Sequence, residues 1–587
     1  MSNEKLSKVE VIKLEGNQLR GTIAESLNDG TPNFEEENIQ QLKFHGVYQQ
    51  DDRDLRKQLR KEGKERHYMM MIRARIPGGI LNADQYLQFD DISERYGNQT
   101  MRITTRQTFQ LHGVLKGDLK ATIKAINDAL VTTLGGCGDQ VRNTIACAMP
   151  RREPYAQTVR EDLMGLVDRF AAKTHAYHEI WLDGEKVDLA TEDPETPKVS
   201  QSSIASGAST VSETSGESEE PLYGRAYLPR KFKIGFTYEG DNCADVYSND
   251  LGIVAHVEDG EVAGYTLLIG GGMGRTASDE NTYPRLASPF AFVTRAQLAY
   301  TCEAIVTVQR DFGNRENRKF ARMKYLIDTM GLDWFKKQVE ERVGFLLTPP
   351  RPLVWQSFED HLGWHLHGDS SQGFLGLFIA NGRIKDEGDY KLKSVLREIV
   401  REYRPTIHLT TQQNLILEGI AESDRPAVEK RLREAGLPLV DDLSALRKNA
   451  MACPAMPTCG LAIAESERAL PTVLPQLEGL LARYGLADEP IAVRMTGCAN
   501  GCARPYISDI GFVGRVLGKY DVFLGASSLG TRLNERFLEQ VPLEELAVVL
   551  EPVIARYASD KHPGERLGDF CHRVGLETLR EVVSVSR

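Results

Sequence analysis

The sequence predicts a mixed α+β protein made of two related halves. Chain length, a cryptic duplication and alternating strand and helix patterns carry that reading. At 587 residues the chain exceeds what one hydrophobic core supports, so several domains are expected. Residues 103–114 read ITTRQTFQLHGV and residues 409–420 read LTTQQNLILEGI. Thr104, Thr105, Gln107, Leu111 and Gly113 return as Thr410, Thr411, Gln413, Leu417 and Gly419. At the same offset, Asn143, Ala146 and Cys147 return as Asn449, Ala452 and Cys453. A repeat whose period is half the chain implies a pseudo-two-fold axis rather than a solenoid.

The elements follow in order. MMMIRARIPGGI (69–80) and AGYTLLIGGG (263–272) read as strands ending in glycine turns. DLKATIKAINDALVTTLG (118–135) and PQLEGLLARYGL (475–486) carry helical periodicity. Residues 192–220 are serine-rich, with Glu213, Glu217, Glu219 and Glu220, and predict a flexible insertion without chemistry.

Composition excludes some functions. Hydrophobic content is 41% and charged content 26%, ordinary for a globular protein. No apolar run is long enough for a bilayer, so no membrane partner is expected. The formal charge of −11 argues against general nucleic-acid binding. The charged start MSNEKLSKVEVIKLEGNQLR lacks an apolar signal, which points to the cytoplasm, where paired cysteines favour metal over disulfide.

Four of the nine cysteines form two tight pairs, Cys453 with Cys459 and Cys498 with Cys502. Four thiolates are the ligand set of a cubane iron–sulfur cluster. Zinc is the alternative, although its usual pairs have spacers of two to four residues. The first spacer here, PAMPT, is longer and holds two prolines, and the second has a Gly that permits close backbone approach. Cys147 has no partner five residues on and reads as a small buried apolar residue.

Positive charge gathers beside Gly or Pro at Arg73 and Arg75, Arg102 and Arg106, Arg142, and Arg230-Lys231-Phe232-Lys233. Taken singly each is a solvated charge. The second half replaces Arg102, Arg106 and His112 with His408, Gln412 and Glu418, so the basic half suits an anionic ligand.

Together these segments resemble the sulfite reductase haemoprotein family, which carries sirohaem and a 4Fe–4S cluster. The resemblance spans nearly the whole chain. It runs through FHGVYQQDDRD (44–54), MRITTRQTFQLHGV (101–114), YLPRKFKIGF (227–236), IGGGMGRT (269–276), NAMACPAMPTCGLAIAESER (449–468) and RMTGCANGCARPYISDIGFVG (494–514). It implies reduction of sulfite to sulfide by six electrons on a duplicated fold of three domains. The implied division is an extension at 1–40, ferredoxin-like half-domains at 41–117 and 341–422, a sirohaem and substrate domain at 118–340, and a cluster domain at 423–587. Cys453, Cys459, Cys498 and Cys502 would bind the cluster, with Cys502 also the axial ligand of the haem iron. Arg73, Arg142, Lys231 and Lys233 match the family's sulfite-binding cations. Arg102, Thr104, Arg106, Gln110, His112, Arg230 and Asn500 would hold sirohaem, although a packing role for His112 is an equal alternative.

Sirohaem's many carboxylates need arginine forks, and a desolvated lysine tunes its pKa more readily than arginine, so Lys231 or Lys233 is the expected proton donor. A nitrite reductase would typically carry Asn at position 233. An iron–sulfur carrier or a zinc protein would leave the basic segments unexplained. Under the zinc reading, QRDFGNRENRKFARMKYL (309–326) could be a nucleic-acid surface; otherwise it reads as a solvated helix face or part of a docking face for ferredoxin. IGGGMG lacks the G-x-G-x-x-G fingerprint, so electrons must come from a separate partner. NQLRGTIAESLNDG and YQQDDRD resemble chains that pair with an NADPH flavoprotein. GGGMGRT, LGWHLHGD, MACPAMPTC and CARPY resemble ferredoxin-dependent ones, and the reading leans to ferredoxin.

Overall fold

The computed structural model describes residues 6–174, 176, 180–182, 185–187, 220–368 and 371–586. The expected insertion lies, apart from Glu220, outside the described residues. Among the described residues, the three largest apolar cores organise the chain. One joins Phe34–Val131 to Leu375–Leu437, so both halves build it. A second runs from Leu19 to Leu347, and a third from Leu446 to Val583.

The shared core lies between two sheets that exchange a strand. In one, the order is Val47–Asp51, Tyr68–Arg73, Phe109–Val114, Met101–Ile103 and Arg383–Ile384. In the other it is Gly363–Leu366, Gln372–Leu377, Leu415–Ala421, Thr406–Leu409 and Ile80–Leu81. In each sheet the last of these strands thus comes from the opposite half, which ties the halves together. Gly79 sits at φ +74 against the Leu409 carbonyl and Gln107, while Gly382 sits at φ +72 against the Ile103 carbonyl and Gln413. At Gly79 an added Cβ would stand 2.6 Å from that carbonyl oxygen and 2.8 Å from the Gln107 Cβ. Gly79→Ala is therefore expected to lower stability by about 1–3 kcal/mol, read as a fall in the thermal midpoint of the purified protein.

The other two sheets are related in a way the sequence reading missed. In one, Ile234–Tyr238 pairs in parallel with Leu251–Glu258; in the other, Val493–Thr496 pairs in parallel with Ile510–Val516. The connecting segments NCADVYSNDLGIVA (242–255) and GCARPYISDIGFVG (501–514) align without a gap. Asp245 and Arg504 occupy equivalent left-handed positions, each preceding a short 3-10 turn. They also touch, with Arg504 Nε 2.7 Å from Asp245 Oδ2, so a buried ion pair lies between the halves.

Most expected elements form. The strand expected at 263–272 is Glu261–Ile269. The helix expected at 118–135 stops at Asp128, and Leu130 turns to φ +57. The helix placed at 475–486 runs from Leu470 to Arg483, because Pro471 occupies the first turn and Pro475 lies inside. The first 40 residues are more than an appendage. Lys13 is buried, bonds the Leu228 carbonyl at 2.8 Å, and pairs with Glu10.

Candidate active site

The cysteine quartet stands at the carboxyl ends of parallel strands, where open α/β sheets place ligands. Cys453 directly follows Ala450–Ala452, and Cys498 follows Val493–Thr496 after the single residue Gly497. The long spacer between Cys453 and Cys459 is held by Arg53, whose Nη1 donates to the carbonyls of Cys459 at 3.1 Å and Ala462 at 2.6 Å. Gly497 donates its N–H to Cys453 Sγ at 3.4 Å, and the Asn500 side chain reaches Cys498 Sγ at 3.6 Å. Thr105, from the other half, donates to the Cys502 carbonyl at 3.1 Å. Cys453 and Cys498 are buried, Cys459 is half-buried and Cys502 is exposed.

The four thiols face one another electrostatically. Burial first, and then the Cys502 charge, push Cys453 and Cys459 above the ordinary thiol range and Cys498 up to about 12. Thiols so placed ionise together only around a cation, which fits a metal centre. Among the described residues they do not close to the spacing of one small ion; only a different set does, at Cys147.

The basic residues converge on the same region. Lys233 has its backbone N–H bonded to Asp250 at 2.9 Å. Burial, then Arg322 and Arg106, bring its ammonium down to about 7, while Asp250 and Cys502 pull it upward. Lys231 is driven well below the usual lysine range by burial and by Arg142, Arg230 and Lys233. Burial also works against the charge of Arg142, but Tyr48, Cys137 and Asp139 hold its pKa above the ordinary value. Arg142 donates to the Gly138 carbonyl at 3.1 Å. Arg73 donates to Cys137 Sγ at 3.1 Å, and the Gln110 amide, turned oxygen-first, accepts from Arg73 Nε at 3.2 Å.

The residues expected along the haem segments divide. Arg106 ties two sheets of the first half together, donating to Asn249 Oδ1 at 2.5 Å and the Ile234 carbonyl at 2.9 Å, and its Nε has no protein partner. Thr104 supports it by accepting the Arg106 N–H at 3.1 Å. Arg102 reaches the Ala452 carbonyl at 2.9 Å and Glu467 at 3.4 Å, beside the cluster strand. Burial lowers Arg102 to about 10 and Arg106 to about 9. His112 is buried with Nδ1 3.2 Å from Gln50 and Nε2 unpartnered, and burial keeps it neutral.

Arg230, Lys231 and Asn500 line a cavity of 280 Å³ with Arg275, Arg318, Lys319 and Arg322. Arg275 Nε has no protein partner. This is a concentration of donors for an anion with several carboxylates. Sequence reasoning quoted the GGGMGRT segment but assigned no role to Arg275. It also placed 309–326 on the surface, and there the structure corrects it in part. Arg322 pairs with Asp250 at 2.9 Å, Arg318 with Asp139 at 2.7 Å, and buried Lys324 bonds the Gly274 carbonyl at 2.9 Å. The signal was present as cations spaced among aromatics, but which face they take depends on tertiary closure.

Cys147 is a second correction. Its thiol stands 3.3 Å from Asp241 Oδ2, so it is not an inert apolar filler.

Comparison with known proteins agrees with this architecture. The nitrite and sulphite reductase 4Fe-4S domain matches residues 167–347 and 445–587, and the nitrite/sulfite reductase ferredoxin-like half domain matches 61–129 and 365–435. A sulfite reductase (NADPH) hemoprotein beta-component from Staphylococcus haemolyticus is 42% identical, covering 98% of this chain and 96% of its own. A sulfite reductase (ferredoxin) from Synechococcus elongatus is 43% identical, covering 98% and 91%. The solved structure of the Mycobacterium tuberculosis NirA protein matches with a TM-score of 0.75 over 98% of both chains at 22% identity, a likeness of fold. Half-domains and cluster domains alternating along the chain, with relatives matched from end to end, place this protein in the nitrite and sulphite reductase family.

Proposed function

We propose that this protein is a sulfite reductase that reduces sulfite to sulfide with six electrons, using sirohaem and a 4Fe–4S cluster. The observation that carries the reading is that Asn500, set between Cys498 and Cys502, lines one cavity with Arg230 and Lys231, so the cysteine quartet meets the basic residues there. Cys453, Cys459, Cys498 and Cys502 would hold the cluster, with Cys502 also serving the haem iron. When bound, the two groups supply single electrons and an iron that takes sulfite through sulfur.

The chain's own residues do the rest. Arg106, Arg230, Arg275 and Asn500 would receive the haem carboxylates, with Arg102, Thr104, Gln110 and His112 shaping the wall behind them. Arg73 and Arg142 would fix the sulfite oxygens through their guanidinium forks. Lys233 would give protons to oxygens that leave as water, since a lysine held near 7 both holds and releases a proton at neutral pH, and Lys231 would line the anion site beside it. Within the fold, we assign 41–117 and 341–422 to the half-domains, 118–340 to haem and substrate, and 423–587 to the cluster, with 1–40 packed along them.

The Lys233 pKa predicts a pH limb. Lys233 is a cation below about 7 and loses its proton above, so kcat/KM for sulfite is expected to fall about fivefold between roughly pH 7 and 8. The limb should vanish in Lys233→Asn, whereas one arising from the ionisation of sulfite itself would persist in both proteins.

Electrons come from a separate redox protein. Relatives named for NADPH and for ferredoxin stand at similar identity, and the ferredoxin-type segments keep ferredoxin as our reading. Turnover of sulfite with reduced ferredoxin tests it. Turnover with an NADPH flavoprotein and none with ferredoxin would reassign the donor.

A further inference from the structure

The second cysteine constellation lies where the pseudo-symmetry places the twin of the cluster cradle. Cys147 stands to the first half as Cys453 does to the second, at the offset that also relates Thr105 to Thr411. Cys243 corresponds to Cys502 within the aligned segments 242–255 and 501–514. The backbone contacts repeat as well. Cys147 donates its N–H to the Phe236 carbonyl at 3.1 Å, as Cys453 does to Met495 at 3.2 Å. Thr411 donates to the Cys243 carbonyl at 2.6 Å, as Thr105 does to Cys502. Nothing equivalent to Cys459 or Cys498 is present, since Glu153 and Glu239 stand at those positions. A cubane therefore lacks half its ligands here.

Two other ligands have moved in. Asp241, equivalent to Asn500, and His361 join the two thiols, and the four ligand atoms lie within 4.8 Å of one another. Cys147 Sγ is 3.3 Å from Asp241 Oδ2 and 4.0 Å from His361 Nε2, and His361 Nε2 is 3.3 Å from Asp241 Oδ2. A tetrahedral site with metal–sulfur bonds of about 2.3 Å and metal–nitrogen or metal–oxygen bonds of about 2.0–2.2 Å has edges of about 3.3–3.8 Å. The observed separations fall on or near that range. Asp241 and Cys243 are buried, and Cys147 and His361 are half-buried.

We propose that Cys147, Asp241, Cys243 and His361 form a second, mononuclear metal site that takes a borderline-soft divalent cation of the zinc class. Two thiolates, an imidazole and a carboxylate suit such an ion and are poorly matched to magnesium or calcium. Four protein ligands leave no open position, so the site is structural rather than hydrolytic. Its surroundings are prepared for the role. The Cys243 N–H donates to Asp241 Oδ1 at 2.9 Å and leaves Oδ2 to face the metal. Two thiolates and a carboxylate around a divalent ion leave one excess negative charge, and Arg151 stands 3.6 Å from Asp241 to balance it. The site would also staple the halves' junction, because His361 belongs to the second repeat and the other three ligands to the first. A disulfide between the cysteines is the competing chemistry, but it would leave His361 and Asp241 converging on nothing.

The test is metal content of the holoenzyme, measured by mass spectrometry after gel filtration in chelator. The expected result is about one zinc-class ion per chain besides iron, lost in Cys243→Ser and in His361→Ala with iron content unchanged. Should a variant fail to fold, the wild-type protein exchanged with cobalt(II) is expected to show thiolate-to-cobalt absorption in the near ultraviolet. Three results would overturn the proposal. They are absence of both the ion and the cobalt band, a Cys147–Cys243 disulfide in the native protein, or zinc kept in Cys243→Ser but lost in Cys459→Ser, which would put the ion in the cluster cradle.

Discussion

Cys502→Ser is expected to abolish sulfite reduction, by more than about a hundredfold, and to remove the cluster absorption together with the haem coupling. Loss of an outer-shell partner alone costs about 10–100-fold at metal sites, and this change removes a ligand. Cys502 is exposed while its three companions are half-buried or buried, so its sulfur is the one that a second group can reach. It also raises the pKa of all three other thiols. The backbone there is held by Thr105 rather than by the thiol, so the fold should survive. Far-ultraviolet circular dichroism checks that, and iron content with visible absorption checks the cofactors. A variant with a native spectrum would remove Cys502 from both roles.

Lys233→Asn is expected to lower kcat/KM for sulfite about 10–100-fold and to change nitrite turnover less. A hydrogen bond to a charged group contributes about 1.5–3 kcal/mol, and each 1.4 kcal/mol is tenfold in rate. Lys233 is distinctive among the cations, because its ammonium is held near neutrality by burial and by Arg322 and Arg106 while Cys502 lies close enough to pull the other way. Asn keeps a donor and loses the mobile proton. Sulfite must shed three oxygens as water and nitrite two, so delivery of protons to a departing oxygen is needed three times for sulfite and twice for nitrite. Steady-state rates on both anions measure the effect, and an unchanged ratio would take Lys233 out of substrate choice.

Much of this was legible in the chain because its chemistry is local. The cysteine pairs are recognisable by spacing, and the repeat of TTRQ and TTQQ segments announced the duplication. The second repeat, NCADVYSNDLGIVA against GCARPYISDIGFVG, was missed because it runs at another offset. The residues between Cys147 and Cys243 outnumber those between Cys453 and Cys502, and the serine-rich stretch lies among them. Tertiary closure hid other features. Arg53 stabilises a cysteine spacer some four hundred residues away, and Arg322 turns inward only because Asp250 waits there. The helix expected to reach residue 135 stops early because Leu130 adopts a left-handed turn, which periodicity does not register. His112 stays ambiguous in sequence because a neutral buried histidine and a haem-facing one look alike until the free Nε2 is seen.

The optical spectrum of the purified protein, before and after reduction with sulfite added, tests the central claim most directly. Sirohaem bands that shift when sulfite binds are the expected result, and they would report the haem, its link to the cluster and the anion site together. A colourless protein that contains zinc at the Cys453, Cys459, Cys498 and Cys502 cradle would contradict the reductase and return the basic cavity to a structural role.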